Sequence, residues 1–204
     1  MKKFVSKIFP FACIAIVFVG YKPNNLSGEK YTDIADSVPE ICNILSPLLI
    51  DSLMPFGTPL SGSFPDPNRW ENYSACHYQF FTANAKPQVA VRLIKWASKS
   101  EALDEYKMNL SRHVESWGGP PERIHWVPDS AYFTDNGQEP NKCFDCGLVV
   151  LNGLYTIYVS FAGDDNGNRD RKKTVSLYIL EMLCARIPGL VPPRTINRQL
   201  PKIN

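Results

Sequence analysis

Two cysteines with two residues between them, Cys143 and Cys146, are the pair in this chain whose type and spacing could most directly do chemistry. A Cys-x-x-Cys unit runs thiol–disulfide exchange when a helix N-terminus stabilises its thiolate. Here Gly147-Leu148-Val149-Val150 follows, which reads as a strand. The dipole that would lower the thiol pKa is missing, so the expected role is a structural disulfide, within the pair or from one member to Cys184. Zinc would need a second Cys or His pair at close spacing, and His77, His113 and His125 do not supply one. The run Asp164-Asp165-Asn166-Gly167-Asn168-Arg169-Asp170 opens like a calcium loop. Its sixth position is Arg169 where glycine is needed, and its twelfth is Val175 where a glutamate belongs. It reads instead as a solvated turn capping the last helix. No nucleophile elbow, phosphate-binding glycine loop or His-Glu-x-x-His helix occurs. No catalytic residue, metal or cofactor is therefore assigned.

Cys42 and Cys76 suggest a different use of sulfur, because the first lies on a predicted helix and the second on a predicted strand that pack together. A bridge between them would staple helix to sheet. It would close a loop of about 35 residues and contribute roughly 3–4 kcal/mol on the chain-entropy view. Spacing alone does not fix the connectivity among Cys42, Cys76, Cys143, Cys146 and Cys184, and an odd number leaves one thiol over. For binding, the aromatic residues Trp96, Trp117 and Trp126 are accounted for by predicted elements. Trp70, in a Pro-rich loop beside Arg69 and Tyr73, is not, so Arg69, Trp70 and Tyr73 are the candidate binding residues.

Which of these roles is open depends on the compartment. Lys2, Lys3 and Lys7 precede an apolar run from Ile8 to Tyr21, the form of a secretory signal. At roughly 14 residues the run is short of the ~20 that cross a bilayer, which favours a cleaved signal over an anchor. Gly20 offers a small residue before the cut, whereas Phe18 does not, so a short signal-anchor is the alternative. Without residues 1–20 the chain loses three lysines and no acid, leaving 19 basic side chains against 20 acidic ones. That balance gives no general attraction for nucleic acid. Contact with a membrane is expected only through an uncleaved signal.

The elements that must position these residues follow from periodicity. Residues 21–36 read as a linker, 37–187 as one domain, and 188–204 as a Pro-rich basic tail. Ser37 and Glu40 have the form of a capping box ahead of the stripe Ile41, Leu45, Leu48, Leu49 and Leu53, with Pro47 expected to kink or divide the helix. Pro55 to Tyr73 shows no periodic pattern and reads as loop. Ser74–Thr82 and Gln88–Trp96 read as strands, the second with Val89, Val91 and Leu93 on one face. Ser98 and Glu101 open a second helix whose stripe is Leu103, Tyr106, Leu110, Val114 and Trp117. Gly118-Gly119-Pro120-Pro121 ends it. Arg123–Val127 and Ala131–Thr134 read as short strands, and Asp135–Lys142 as a polar loop. Leu148–Leu151 and Leu154–Phe161 flank Asn152-Gly153 as a hairpin, with Tyr155, Ile157, Val159 and Phe161 on its buried face. A last helix carries Val175, Tyr178, Ile179, Met182, Leu183 and Ile187 towards the core and stops at Pro188-Gly189. The fold class is α+β, a mainly antiparallel sheet with helices on one face and a loose αββ duplication as a reading of its two halves.

Ile41-Cys42-Asn43-Ile44-Leu45, Ala75-Cys76-His77-Tyr78, Ala131-Tyr132-Phe133 and Leu148-Val149-Val150-Leu151-Asn152-Gly153 together resemble a family of bacterial envelope lipoproteins of unknown function. The resemblance implies an exported, non-catalytic α/β domain whose helix-borne cysteine pairs with a strand cysteine. The chain departs from that family in having no lipobox at Cys13 and in carrying Cys143, Cys146 and Cys184. The expectation is an exported, disulfide-bonded accessory or binding protein of the periplasm or exterior. Its partner would be a protein or small ligand of the envelope, met through the loops Pro55–Tyr73 and Asp135–Lys142. The alternative is a thiol–disulfide redox protein using Cys143 and Cys146.

Overall fold

A computed structural model describes residues 38–54, 60–66, 71–80, 87–117, 121–125, 129–135, 145–163 and 168–193. The signal and linker, Arg69, Trp70, Trp126, Cys143, the loop beyond Asp135 and the end of the tail lie outside those residues. The described residues all fall in the unit Ala35–Asn204.

Seven strands form one antiparallel sheet in the order β1-β2-β3-β7-β6-β5-β4. They are β1 Leu60–Pro65, β2 Tyr73–Phe80, β3 Gln88–Lys95, β4 Glu122–Arg123, β5 Ser130–Asp135, β6 Cys146–Asn152 and β7 Tyr155–Ala162. The helices are α1 Ile41–Ile44, α2 Pro47–Leu53, α3 Lys99–Trp117 and α4 Arg169–Arg186. The α+β class and the antiparallel sheet are as the sequence predicts. Strand alternation sends Cys76, Tyr78, Val89, Val91, Leu148, Val150, Ile157 and Val159 to one face, where α1, α2 and α4 cover them in the main core. On the opposite face Tyr132, Val149 and Leu151 meet Ala102 and Tyr106 of α3. The expectation of one helical face thus holds for three helices and is corrected for α3. The αββ duplication is corrected with it: the halves have three and four strands, and the helices that follow them lie on opposite faces.

Local chemistry accounts for the remaining differences. The first helix is divided at Pro47, as its clash with the preceding turn requires. The N-cap of α1 is Glu40, with no side-chain bond; Ser37, the other half of the expected capping box, lies outside the described residues. Ser46 caps α2 by accepting from the Leu49 N–H. The break shifts the helical phase, so Leu48 is 83% exposed while Ile50 is fully buried. β1 lies inside the stretch expected to be loop; its bulge between Leu60 and Gly62 and its edge position let it pair with β2 without an alternating apolar pattern. α3 opens as expected, the Glu101 N–H donating to Ser98 Oγ at 3.2 Å and Glu101 Oε2 accepting from the Ala97 N–H at 3.1 Å. The hairpin forms, but Asn152 pairs with Tyr155, so the loop is Gly153-Leu154, with Gly153 at φ +62°. The buried Asn152 amide is held by Val191, which keeps that residue in the strand.

The N-terminus of α4 is pinned by charge. Asn168 caps it, accepting from the Arg171 N–H at 3.0 Å. Arg169 lies 5.2 Å from the Phe133 ring centre and pairs with Asp135 and Glu122, while Lys173 pairs with Glu122. Burial by itself would raise the Glu122 carboxyl, but Lys173 and Arg169 hold it below the usual carboxylate range. A carboxyl lowered on folding stabilises fully above its unfolded value, and the gain is lost as pH falls through the folded value. Acid should therefore loosen α4 as pH falls below the ordinary carboxylate range. In Glu122→Gln that part of the pH dependence of the melting temperature is expected to flatten. An unchanged acid limb would show that the pair is solvent-screened and contributes nothing.

Candidate functional site

The Cys42–Cys76 bridge joins α1 to β2 with a Cα–Cα distance of 5.1 Å. Ser74, on the same strand face as Cys76, accepts the Ile41 N–H at 2.9 Å, and Tyr78 donates to the Leu45 carbonyl at 2.6 Å. Three contacts thus fix a four-residue helix at the end of the sheet. Between that helix, Pro65-Asp66 and the start of β2 lies a cleft of about 210 Å³ lined by Glu40, Cys42, Glu71, Tyr73 and Ser74 among others. Drug-sized ligands need roughly 300 Å³ or more. The cleft suits a small group or the end of something larger.

Tyr73 connects this cleft to the second face of the sheet. Its hydroxyl donates to Asp66 Oδ2 at 2.7 Å, and the same carboxylate oxygen lies 3.7 Å from His77 Nε2. Burial, opposed by Arg92 and reinforced by the Asp66 bond, pushes the Tyr73 phenol up to about 12, so it is a donor at neutral pH and not a base. The Arg92 guanidinium carbon is 5.9 Å from the centre of the Tyr73 ring and 5.6 Å from that of Tyr158. Tyr158 in turn receives a bond from Asn109 Nδ2 at 3.0 Å and donates to Glu105 Oε1 at 3.4 Å. At the other end His77 stacks on Phe64, centroids 5.9 Å apart and planes 8° from parallel. Strand register explains the row: Ala75, Arg92 and Tyr158 are direct neighbours across β2, β3 and β7, and Phe64 is opposite His77.

Of the predicted binding residues, the structure places Tyr73 at the junction of cleft and row; Arg69 and Trp70 lie outside the described residues. Sequence reasoning missed Asp66, His77, Arg92, Tyr158, Glu105 and Asn109. The available signal was the period-two pattern of β2 and β3, which puts Tyr73, His77 and Arg92 together on the face opposite the core.

The sulfur sites are resolved in part. Cys42 pairs with Cys76 as expected. Cys146, fully buried at the head of β6, is in a disulfide whose partner lies outside the described residues. Cys184 is free and buried, which excludes a bridge from Cys146 or Cys143 to it and makes it the odd thiol. Burial, with Glu181 nearby, pushes that thiol up to about 11. Among the described residues no group of His, Cys, Asp and Glu has the geometry to hold a metal ion.

The chain matches no family model, no curated protein and no solved structure.

Proposed function

We propose that this protein is an exported, disulfide-bonded accessory protein of the bacterial envelope that binds a partner or small ligand around Tyr73 without turning it over. The observation that carries the reading is the Cys42–Cys76 bond in the wall of the cleft. Such cross-links persist where thiols oxidise, outside the cytosol. The lysine-led apolar run at the start of the chain supports the same route. The likeness to envelope lipoproteins in the cysteine-bearing segments agrees with it. The geometry around Tyr73 favours binding over catalysis, since its phenol is held protonated and its neighbours are fixed by one another. Among the described residues no helix is long and apolar enough to cross a membrane.

Residues 1–36 fused to alkaline phosphatase, which is active only after export, test the location. Activity is expected in the intact fusion and is expected to vanish when Lys2, Lys3 and Lys7 are replaced by glutamate. Phosphatase that stays inactive in the cytosol contradicts the proposal.

A further inference from the structure

The segment after α4 leaves the packed domain at the same end of the sheet as the cleft. Ile187 and Leu190 pack in the main core, so this segment runs on the face that α1 covers. Arg186 donates to the Ile44 carbonyl, which sets the end of α4 against α1. Val191 is then pinned to Asn152 by two hydrogen bonds. From Asn152 the paired residues lead across β7 at Tyr155 and β3 at Lys95, whose N–H donates to the Asn72 carbonyl beside Tyr73. That is three strand spacings, about 14 Å. Residues 194–204 follow Pro193 in the sequence. The seven steps from Val191 to Arg198 alone reach up to about 23 Å when extended, which exceeds the span.

Cleft and segment are opposite in charge. Glu40, Asp66 and Glu71 line the cleft, and no lysine or arginine is among its lining residues. Asp66 is engaged by the Tyr73 hydroxyl and contributes charge alone, whereas Glu40 and Glu71 are exposed. Residues 194–204 carry Arg194, Arg198 and Lys202 and no acidic side chain. The cleft also has apolar walls from Val38, Ile41 and Pro65, against which the methylene stem of an arginine can lie while its guanidinium meets the carboxylates. At about 210 Å³ it has room for one such side chain and not for a folded element. Tethering then decides occupancy. A short tether gives an effective concentration in the millimolar range, so a contact too weak to hold two separate molecules is populated within one. We infer that residues 194–204 turn back across the end of the sheet and seat Arg198 in the cleft, making the basic tail the resident occupant that a cationic segment of a partner must displace. The inference rests on the reading of the cleft as a binding site and names the chemistry of what it takes.

The test compares amide NMR spectra of the full chain, a chain ending after Pro193, and Arg198→Glu. Both changes lie beyond the packed residues, and unchanged melting temperatures show that the fold is kept. Each is expected to shift the signals of Glu71, Tyr73 and Ser74 while those of β5 and β6 stay in place, and tenfold dilution of the full chain is expected to change nothing. A synthetic peptide of residues 194–204 should return the shortened chain's signals to their positions in the full chain. It should bind the full chain roughly threefold more weakly, the ratio set by a tail at a few millimolar competing with a peptide whose Kd is about 1 mM. Identical cleft signals with and without the tail overturn the inference. Signals that change on dilution overturn it too, because they assign the occupant to the tail of a second copy. A silent Arg198→Glu beside an effective shortening overturns the seat given to Arg198. Where the tail has no effect, binding of the peptide to the shortened chain leaves the reading of the cleft as a binding site standing, and no binding at millimolar peptide removes both. Failure of the phosphatase fusion to export would strike the location and not this result.

Discussion

Cys42→Ser and Cys76→Ser are each expected to destabilise the domain by about 3–4 kcal/mol, and the double variant by no more than either alone. The bridge spans 34 residues of sequence, and cutting it returns that loop's freedom to the unfolded chain. In a domain of this size the melting temperature should fall by roughly 10 °C. The effect should be local as well as global. α1 has four residues, far below the length at which a helix persists alone, and its N-cap lacks a side-chain bond. Without the bridge its remaining ties are the buried Ile41 and Leu45, the Ser74 and Tyr78 hydrogen bonds and an Arg186 contact to the Ile44 carbonyl. Amide exchange at Ile44 and Leu45 should therefore rise more than in β3. Urea denaturation of the three variants checks the first claim; a reduced bridge with unchanged stability would refute it.

Asn152→Ala should cost about 2–3 kcal/mol and expose Cys184. Asn152 is fully buried, and its amide makes a two-way contact with Val191, Nδ2 to the carbonyl at 2.8 Å and Oδ1 from the N–H at 3.0 Å. This pairing straps the segment after α4 across the end of the hairpin. The turn before it needs Gly189, whose φ of +86° lies in the region that side chains avoid. Cys184 sits beneath the strap, its Sγ donating to the Val191 carbonyl at 3.5 Å. In the parent protein alkylation of this thiol should be slow at neutral pH, since it is buried and its thiolate disfavoured. Loss of the strap should speed alkylation by at least about tenfold, because the opening that admits reagent costs less. Equal rates in parent and variant would show that the strap does not guard the thiol.

The parts legible in the sequence are those set by local pattern. The divided first helix, the capping of α3, the buried face of β7 and the cap of α4 follow from Pro47, Ser98, the alternation at Tyr155–Phe161 and Asn168. The Cys42–Cys76 staple follows from the types of element that carry the two cysteines. What could not be read depends on contacts distant in sequence. Of the predicted α3 stripe, Tyr106 and Leu110 pack on the sheet while Leu103 and Val114 are exposed, and Ala102, Asn109 and His113 complete the contact. The contact mixes this apolar packing with polar bonds, Tyr106 to Ser130 at 2.7 Å and Tyr132 to His113 at 3.3 Å, so hydrophobic periodicity marks only part of the buried side and does not say which sheet face it meets. Its position on the second face was hidden for that reason. The candidate site was hidden by topology: β3 and β7 become neighbours across more than sixty residues, and only their pairing brings Arg92 to Tyr158. Tyr73 alone could be singled out, as an aromatic residue beside a loop.

The central claim is that this domain matures where thiols oxidise and is cross-linked there. Trapping thiols in intact producing cells, followed by peptide mass mapping without reductant, measures it directly. The account predicts a Cys42–Cys76 linked peptide, Cys184 modified only after denaturation, and an N-terminus lying beyond the apolar run. Recovery of the chain with Met1 in place and Cys42 and Cys76 both alkylated without reduction would contradict it.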